Sequence, residues 1–134
     1  VRRGEGLADA PLPQLPESLY LEFSETGDRR GYERAFSRLR GMLRDLTIAE
    51  CIEAEGRFIH AVEIALSAIC DQPTWVLPAH DRSLDNLYGR RIDIDLVSAS
   101  TGWTLATALH LLGDRLDEAV AGRVCRELQR RIFR

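Results

Sequence analysis

Residues 30–70 read RGYERAFSRLRGMLRDLTIAECIEAEGRFIHAVEIALSAIC. Tyr32, Phe36, Leu39, Leu43 and Leu46 recur at alternating steps of four and three, which places them on one face of an α-helix. Arg34, Arg38, Arg40 and Arg44 fall largely off that face and are expected in solvent. The stripe predicts a helix over 30–53, continuing through Ile48, Ala49 and Ile52. Alternatively, Thr47 and Glu50 form a capping box that restarts it. Gly56 supplies a C-terminal break. A second stripe of Phe58, Ile59, Val62, Ala65, Leu66 and Ile69 predicts a helix over 57–70. So short a connection makes the two helices antiparallel neighbours.

Working outward, residues 71–92 lose the helical rhythm. Pro73, Pro78, Gly89 and the Asp85-Asn86 pair discourage regular structure, and a connection this long often carries function. A third helix is predicted over 95–112, capped by Asp93 or Asp95, with Leu96, Ala99, Trp103, Ala106, Leu109 and Leu112 inward. A fourth, over 117–132, starts at Asp117 and buries Val120, Val124, Leu128 and Ile132. Arg126 to Arg131 complement its C-terminal end. Upstream, Pro11, Pro13 and Pro16 favour an extended lead-in over 1–28, docked through Tyr20, Leu21 and Phe23. The fold class is therefore all-α: an extended lead-in over 1–28, then helical hairpins over 29–134.

Composition narrows the function classes. With 45% hydrophobic residues the chain is able to build a core, so global disorder is excluded. A net charge of -3 argues against a nucleic-acid partner, which demands clustered positive charge. All 18 basic residues are arginine. The three cysteines, Cys51, Cys70 and Cys125, are widely spaced without a CxxC, so neither a disulfide framework nor a zinc site is expected. Cys51 and Cys70 read as small core residues. No apolar run approaches the roughly 20 residues that span a bilayer. The start lacks an initiator Met and the end falls within a helical turn, so the chain reads as a fragment.

Phosphate-loop, GxGxxG, HExxH and GxSxG signatures are absent, and no cofactor or metal is called for. His60 and His110 sit in helical text and read as structural or surface residues. The irregular segment is where chemistry is most plausible. Trp75, His80, Asp81, Asp85, Asn86 and Tyr88 combine aromatic faces with polar groups, the mixture that covers the C–H face of a sugar and binds its hydroxyls. His80 beside Asp81 also suits a proton relay. The structural alternative has Trp75 plugging the wall while Asp81 and Asp85 cap turns. Trp103 is expected in the core.

Within this segment the run Pro73-Thr74-Trp75-Val76-Leu77-Pro78-Ala79-His80-Asp81 is the most specific text. Together with Ala49-Glu50-Cys51-Ile52-Glu53, Gly56-Arg57-Phe58, Leu111-Leu112-Gly113-Asp114-Arg115-Leu116 and Arg130-Arg131-Ile132-Phe133, it resembles heparinase II/III-like polysaccharide lyases over about residues 47–133. The resemblance implies part of an incomplete α/α toroid in a periplasmic or secreted protein. It also implies β-elimination on a uronate-containing acidic polysaccharide or oligosaccharide. In that chemistry an Asn or His relieves the carboxylate charge and a Tyr or His takes the C5 proton. The family's catalytic motifs lie later in its toroid, and no catalytic residue carries over here. Trp75, His80, Asp81, Asn86 and Tyr88 are the candidate substrate-binding residues. The alternative is a non-catalytic carbohydrate-binding or protein-binding helical module.

Overall fold

The apolar stripes fold as helices, and no strand forms among the described residues, which in this computed structural model are 1–133. Arg134, the end of the predicted helical region, lies outside them. The helices are α1 (Arg2–Ala8), α2 (Glu17–Thr26), α3 (Arg30–Glu53), α4 (Ile59–Asp71), α5 (Leu96–Leu112) and α6 (Glu118–Leu128). A π-helical turn, Gln129–Phe133, continues α6.

In α3 the predicted stripe is buried as read, from Tyr32 to Leu46, with Met42, Ala49 and Glu50 added to it. No capping box interrupts it: Thr47 Oγ1 donates to Leu43 O at 2.7 Å inside a continuous helix. The helix ends at Ala54, whose φ of 58° is left-handed, a conformation that costs a non-glycine residue on the order of 1 kcal/mol. The Glu50 carboxylate offsets that cost. It accepts from Gly56 N at 2.6 Å and Phe58 N at 2.9 Å, and it pairs with Arg115. Phe58, Val62, Ala65, Leu66 and Ile69 then form the fully buried side of the α4 segment.

Cross-links fix the helix directions. Glu50, late in α3, meets Phe58 at the start of α4, while Arg40, mid-α3, donates to Gln72 Oε1 just past α4, so this hairpin is antiparallel. Gly102 of α5 lies against Ile132 after α6, which makes the second hairpin antiparallel too. Arg40 also donates to Thr101 and Glu50 pairs with Arg115, so α3 runs parallel to α5. Glu63 accepts from Asp117 N and Asp71 pairs with Arg123, so α4 runs parallel to α6. The second hairpin thus lies beside the first in the same sense. The main core fills the space between them with Leu43, Phe58, Leu66, Trp75, Leu105 and Val124 among its members.

Several expectations are corrected. The lead-in is extended only over 11–16, and α1 and α2 flank it. Proline disfavours helix at its own position and just before it, so α1 stops short of Pro11 and α2 starts after Pro16. Gly4 lets α1 approach α3 closely: a Cβ there would lie 2.5 Å from Ala49 Cβ. Arg40 is held inside rather than solvated. Its guanidinium lies 3.3 Å from the centre of the Phe36 ring, and burial lowers its pKa to about 9. Cys51 is exposed, because it sits opposite the buried Ala49 and Glu50 side of α3. Trp103 is 77% exposed and Leu96 is 87% exposed. The inward residues of α5 are Ser98, Thr101, Gly102, Leu105, Ala108 and Leu112. This helix is apolar on nearly all sides, so its sequence periodicity does not select a face.

Candidate functional site

Two aspartates order the irregular segment between α4 and α5. Asp81 follows the 3₁₀ turn Pro78–His80 and is completely buried. Its Oδ1 accepts from Asn86 N and Asn86 Nδ2, both at 3.1 Å. Its Oδ2 accepts from Leu87 N at 2.9 Å and from the Tyr20 hydroxyl at 3.1 Å. Four donors on two oxygens leave this carboxylate saturated. Burial and the adjacent Asp81 charge push the Tyr20 hydroxyl far above its ordinary pKa, so it stays a donor. The ring of Tyr20 meets Tyr32 edge-on at 5.0 Å, which ties α2 to α3 beneath the loop.

Asn86 extends the network. Its Oδ1 accepts from Asp93 N at 2.7 Å, and its Nδ2 also donates to Asp93 Oδ2 at 2.9 Å. Leu84 takes a left-handed φ of 59° within this turn, where its amide donates to Asp81 O.

Asp95 is the second organiser and caps α5, as one of the two predicted alternatives had it. Its Oδ1 accepts from Ser98 N at 2.8 Å, while Oδ2 accepts from Leu77 N at 3.1 Å and lies 2.7 Å from His80 Nδ1. Burial raises the pKa of Asp95, but the bonds from His80, Ser98 and Leu77 outweigh it and hold the carboxyl below its usual range.

The five predicted site residues therefore separate. Trp75 is buried as expected: its Nε1 donates to Ile69 O at 3.0 Å and the Arg131 guanidinium stacks 4.6 Å from the ring. Asp81 and Asn86 are interior and bonded to each other. His80 and Tyr88 remain at the surface. His80 is paired with Asp95 rather than with its neighbour Asp81, and Tyr88 Oη lies 3.5 Å from Glu17 Oε1.

Beside this segment lies a cavity of about 40 Å³ whose lining includes Trp75, Asn86 and Asp93 together with Arg91, Ser98, Arg130 and Arg131, which sequence reasoning did not single out as a site. Arg131 is 6% exposed, donates to Gln72 O at 2.7 Å, and is anchored through Nε to Glu127 at 2.6 Å. Burial lowers its pKa while Glu127 opposes the shift. Its text, Arg130-Arg131 in a terminal turn, gives no local signal of burial, because that burial depends on α4 and the loop arriving from elsewhere.

Among the described residues no cluster of His, Cys, Asp and Glu is able to hold a metal ion, and no helix is long and apolar enough to cross a membrane. No protein-family model matches the chain, and no match is found among curated proteins.

Proposed function

We propose that this chain is a wall segment of the α/α toroid of a heparinase II/III-like polysaccharide lyase, whose β-elimination centre is built from residues beyond position 134. The observation that carries the reading is the arrangement of the hairpins, α3–α4 and α5–α6, side by side in one sense. That is the step by which helical hairpins propagate into curved arrays.

The chemistry of the local tyrosines agrees with a catalytic centre elsewhere. Tyr20 and Tyr32 are buried, and desolvation raises the Tyr32 pKa to about 12, so neither is suited to take a C5 proton. Asn86, the one asparagine of the chain, spends its amide on Asp81 and Asp93. Trp75, Asp81 and Asn86 act as the frame of the wall, and His80 and Tyr88 are the members of the predicted set left to meet an acidic saccharide.

A second reading, a non-catalytic carbohydrate-binding or protein-binding helical module, is favoured by one observation: the outer side of α5 exposes Leu96, Trp103 and Leu111. In the toroid reading a further hairpin of the parent chain covers that side.

Absorbance of unsaturated uronate products, followed on several acidic polysaccharides, tests the proposal. The full gene product is expected to generate the signal, and residues 1–134 alone are expected to give none. A full gene product that binds but never cleaves these polymers moves the assignment to the second reading. Turnover by residues 1–134 refutes the placement of the centre.

A further inference from the structure

Helices α3 and α5 run side by side and leave between them a groove of about 310 Å³. Two arginines line it, Arg40 and Arg44, and no carboxylate does among the described residues. Arg44 stands at the rim: its side chain is 62% exposed, and its Nε donates to Asp45 Oδ1 at 3.1 Å. Arg40 lies deeper. Its guanidinium stacks on the Phe36 ring and bonds Thr101 Oγ1, and both of those residues line the groove.

Arg40 has only neutral partners. Its three hydrogen bonds go to Thr101 Oγ1 at 2.8 Å, Gln72 Oε1 at 2.7 Å and Phe36 O at 3.3 Å. A guanidinium carries five N–H donors, so two are left. Burial lowers its pKa to about 9, which keeps it charged at neutral pH; Asp95 supports that charge only through space, and Arg131 opposes it. A buried charge is costly unless an opposite charge or a full set of hydrogen bonds meets it.

Gly41 is a second, independent sign. It sits in the middle of the 24-residue α3, where glycine is the least favourable residue after proline. Packing does not demand it, since a Cβ there would meet nothing nearer than Arg44 Nη2 at 3.8 Å, an ordinary contact. Its missing side chain instead keeps the groove open beside Arg40. The remaining polar lining is hydroxyl-bearing. Ser37 and Ser100 are exposed, and Thr104, which donates to Ser100 O at 3.0 Å, is still able to accept.

We infer that this groove binds a small hydroxy acid, its carboxylate taking the spare N–H donors of Arg40 and its hydroxyls meeting Ser37, Ser100 and Thr104. The planar fork of an arginine suits a carboxylate in particular. Small-molecule sites span roughly 300–1,000 Å³, so a groove of about 310 Å³ takes a ligand about the size of one sugar. The inference does not rest on the lyase reading, because the groove uses none of the loop residues and asks for no cleavage.

The test is a titration of isotope-labelled chain 1–134 with sodium gluconate, sodium acetate and sorbitol, at constant ionic strength held by chloride. The Arg40 side-chain Nε–H and the amides of Gly41, Ser100 and Thr101 are followed by NMR. Gluconate is expected to give saturable shifts at these groups, acetate to bind about tenfold more weakly, and sorbitol, which has the hydroxyls without the carboxylate, to give none. Gly41→Leu fills the groove without touching Arg40. It is expected to weaken gluconate binding by about tenfold or more, while the thermal melt stays unchanged or rises, since leucine is the better helix former. Ser100→Ala is expected to weaken it about threefold, the worth of one neutral hydrogen bond.

No saturation with gluconate, equal binding of acetate or sorbitol, or a Gly41→Leu protein that binds as tightly as the parent overturns the site. Sodium glucuronate forms a further arm. Tighter binding than gluconate assigns the site to an acidic sugar ring, and weaker binding assigns it to an open-chain hydroxy acid. Either result keeps the site and leaves the lyase reading to its own assay.

Discussion

The turn between α3 and α4 and the loop between α4 and α5 solve one problem at two scales. Each contains irregular backbone that folds inward, and each is organised by a completely buried carboxylate, Glu50 in the turn and Asp81 in the loop. Glu50 collects two amides within eight residues of itself and is neutralised by Arg115. Asp81 has no ion-pair partner among the described residues. It gathers Asn86, Leu87 and the distant Tyr20 hydroxyl, so it fastens α2 as well as the loop. The difference teaches that the long loop owes its order to a polar network, where the short turn owes its own to one salt-bridged cap. It also teaches that a polar cluster in a loop is not by itself a binding site. Most of the attractive loop residues are consumed in holding the loop together.

The comparison is broken most severely at Trp75, the apolar floor on which the loop rests. Trp75→Ala is expected to lower stability by about 3–5 kcal/mol in chemical denaturation. Next comes a direct contest between the acids. Asp81→Ala strands the buried Asn86 and Leu87 amides, while the Tyr20 hydroxyl keeps Val76 O and Asn86 Nδ2 keeps Asp93, and it is expected to cost about 3–4 kcal/mol, whereas Glu50→Gln keeps an acceptor for one amide and is expected to cost about 1–3 kcal/mol. Equal losses would remove the distinction drawn between the two regions. Tyr20→Phe deletes one neutral donor to a charged acceptor and is expected to cost about 1.5–3 kcal/mol, with α2 loosening first under limited proteolysis.

Acid sharpens the picture. At Glu50, burial raises the pKa, but the Phe58 and Gly56 amides and Arg115 outweigh it and lower the value; Asp95 is lowered in the same manner. Carboxyls with depressed folded pKa values add stability that is complete above the unfolded range near pH 4 and is lost as pH falls through the lower folded values. The melting temperature is therefore expected to hold steady from neutrality down to about pH 5 and to drop below pH 4. In Glu50→Gln that drop is expected to be shallower.

How much of this was legible in the sequence follows from where the determining contacts lie. The stripes of α3, α4 and α6 and the caps at Asp95 and Asp117 are local, and they read correctly. The working side of α5 did not read: Leu96, Trp103 and Leu111 are as apolar as Leu105 and Leu112, and only packing against α3 and α6 separates them. Helices α1 and α2 were masked by the prolines between them. Glu50 was visible as a capping residue but was assigned to Thr47, although it serves Gly56 and Phe58. In the loop, Trp75 was legible as a buried plug and Asp81 as a turn cap. Ser98 and the arginines around its cavity were not, because their meeting joins segments about 30 residues apart in the chain.

Amide hydrogen exchange at Asn86 and Leu87, read beside Gly56 and Phe58, tests the central claim most directly. If buried carboxylates order both segments, all four amides exchange only through large-scale unfolding, with protection close to that of the α4 core. Exchange of Asn86 and Leu87 at the rate of an open loop, while Gly56 and Phe58 stay protected, would contradict it and return the segment to the surface as a mobile element.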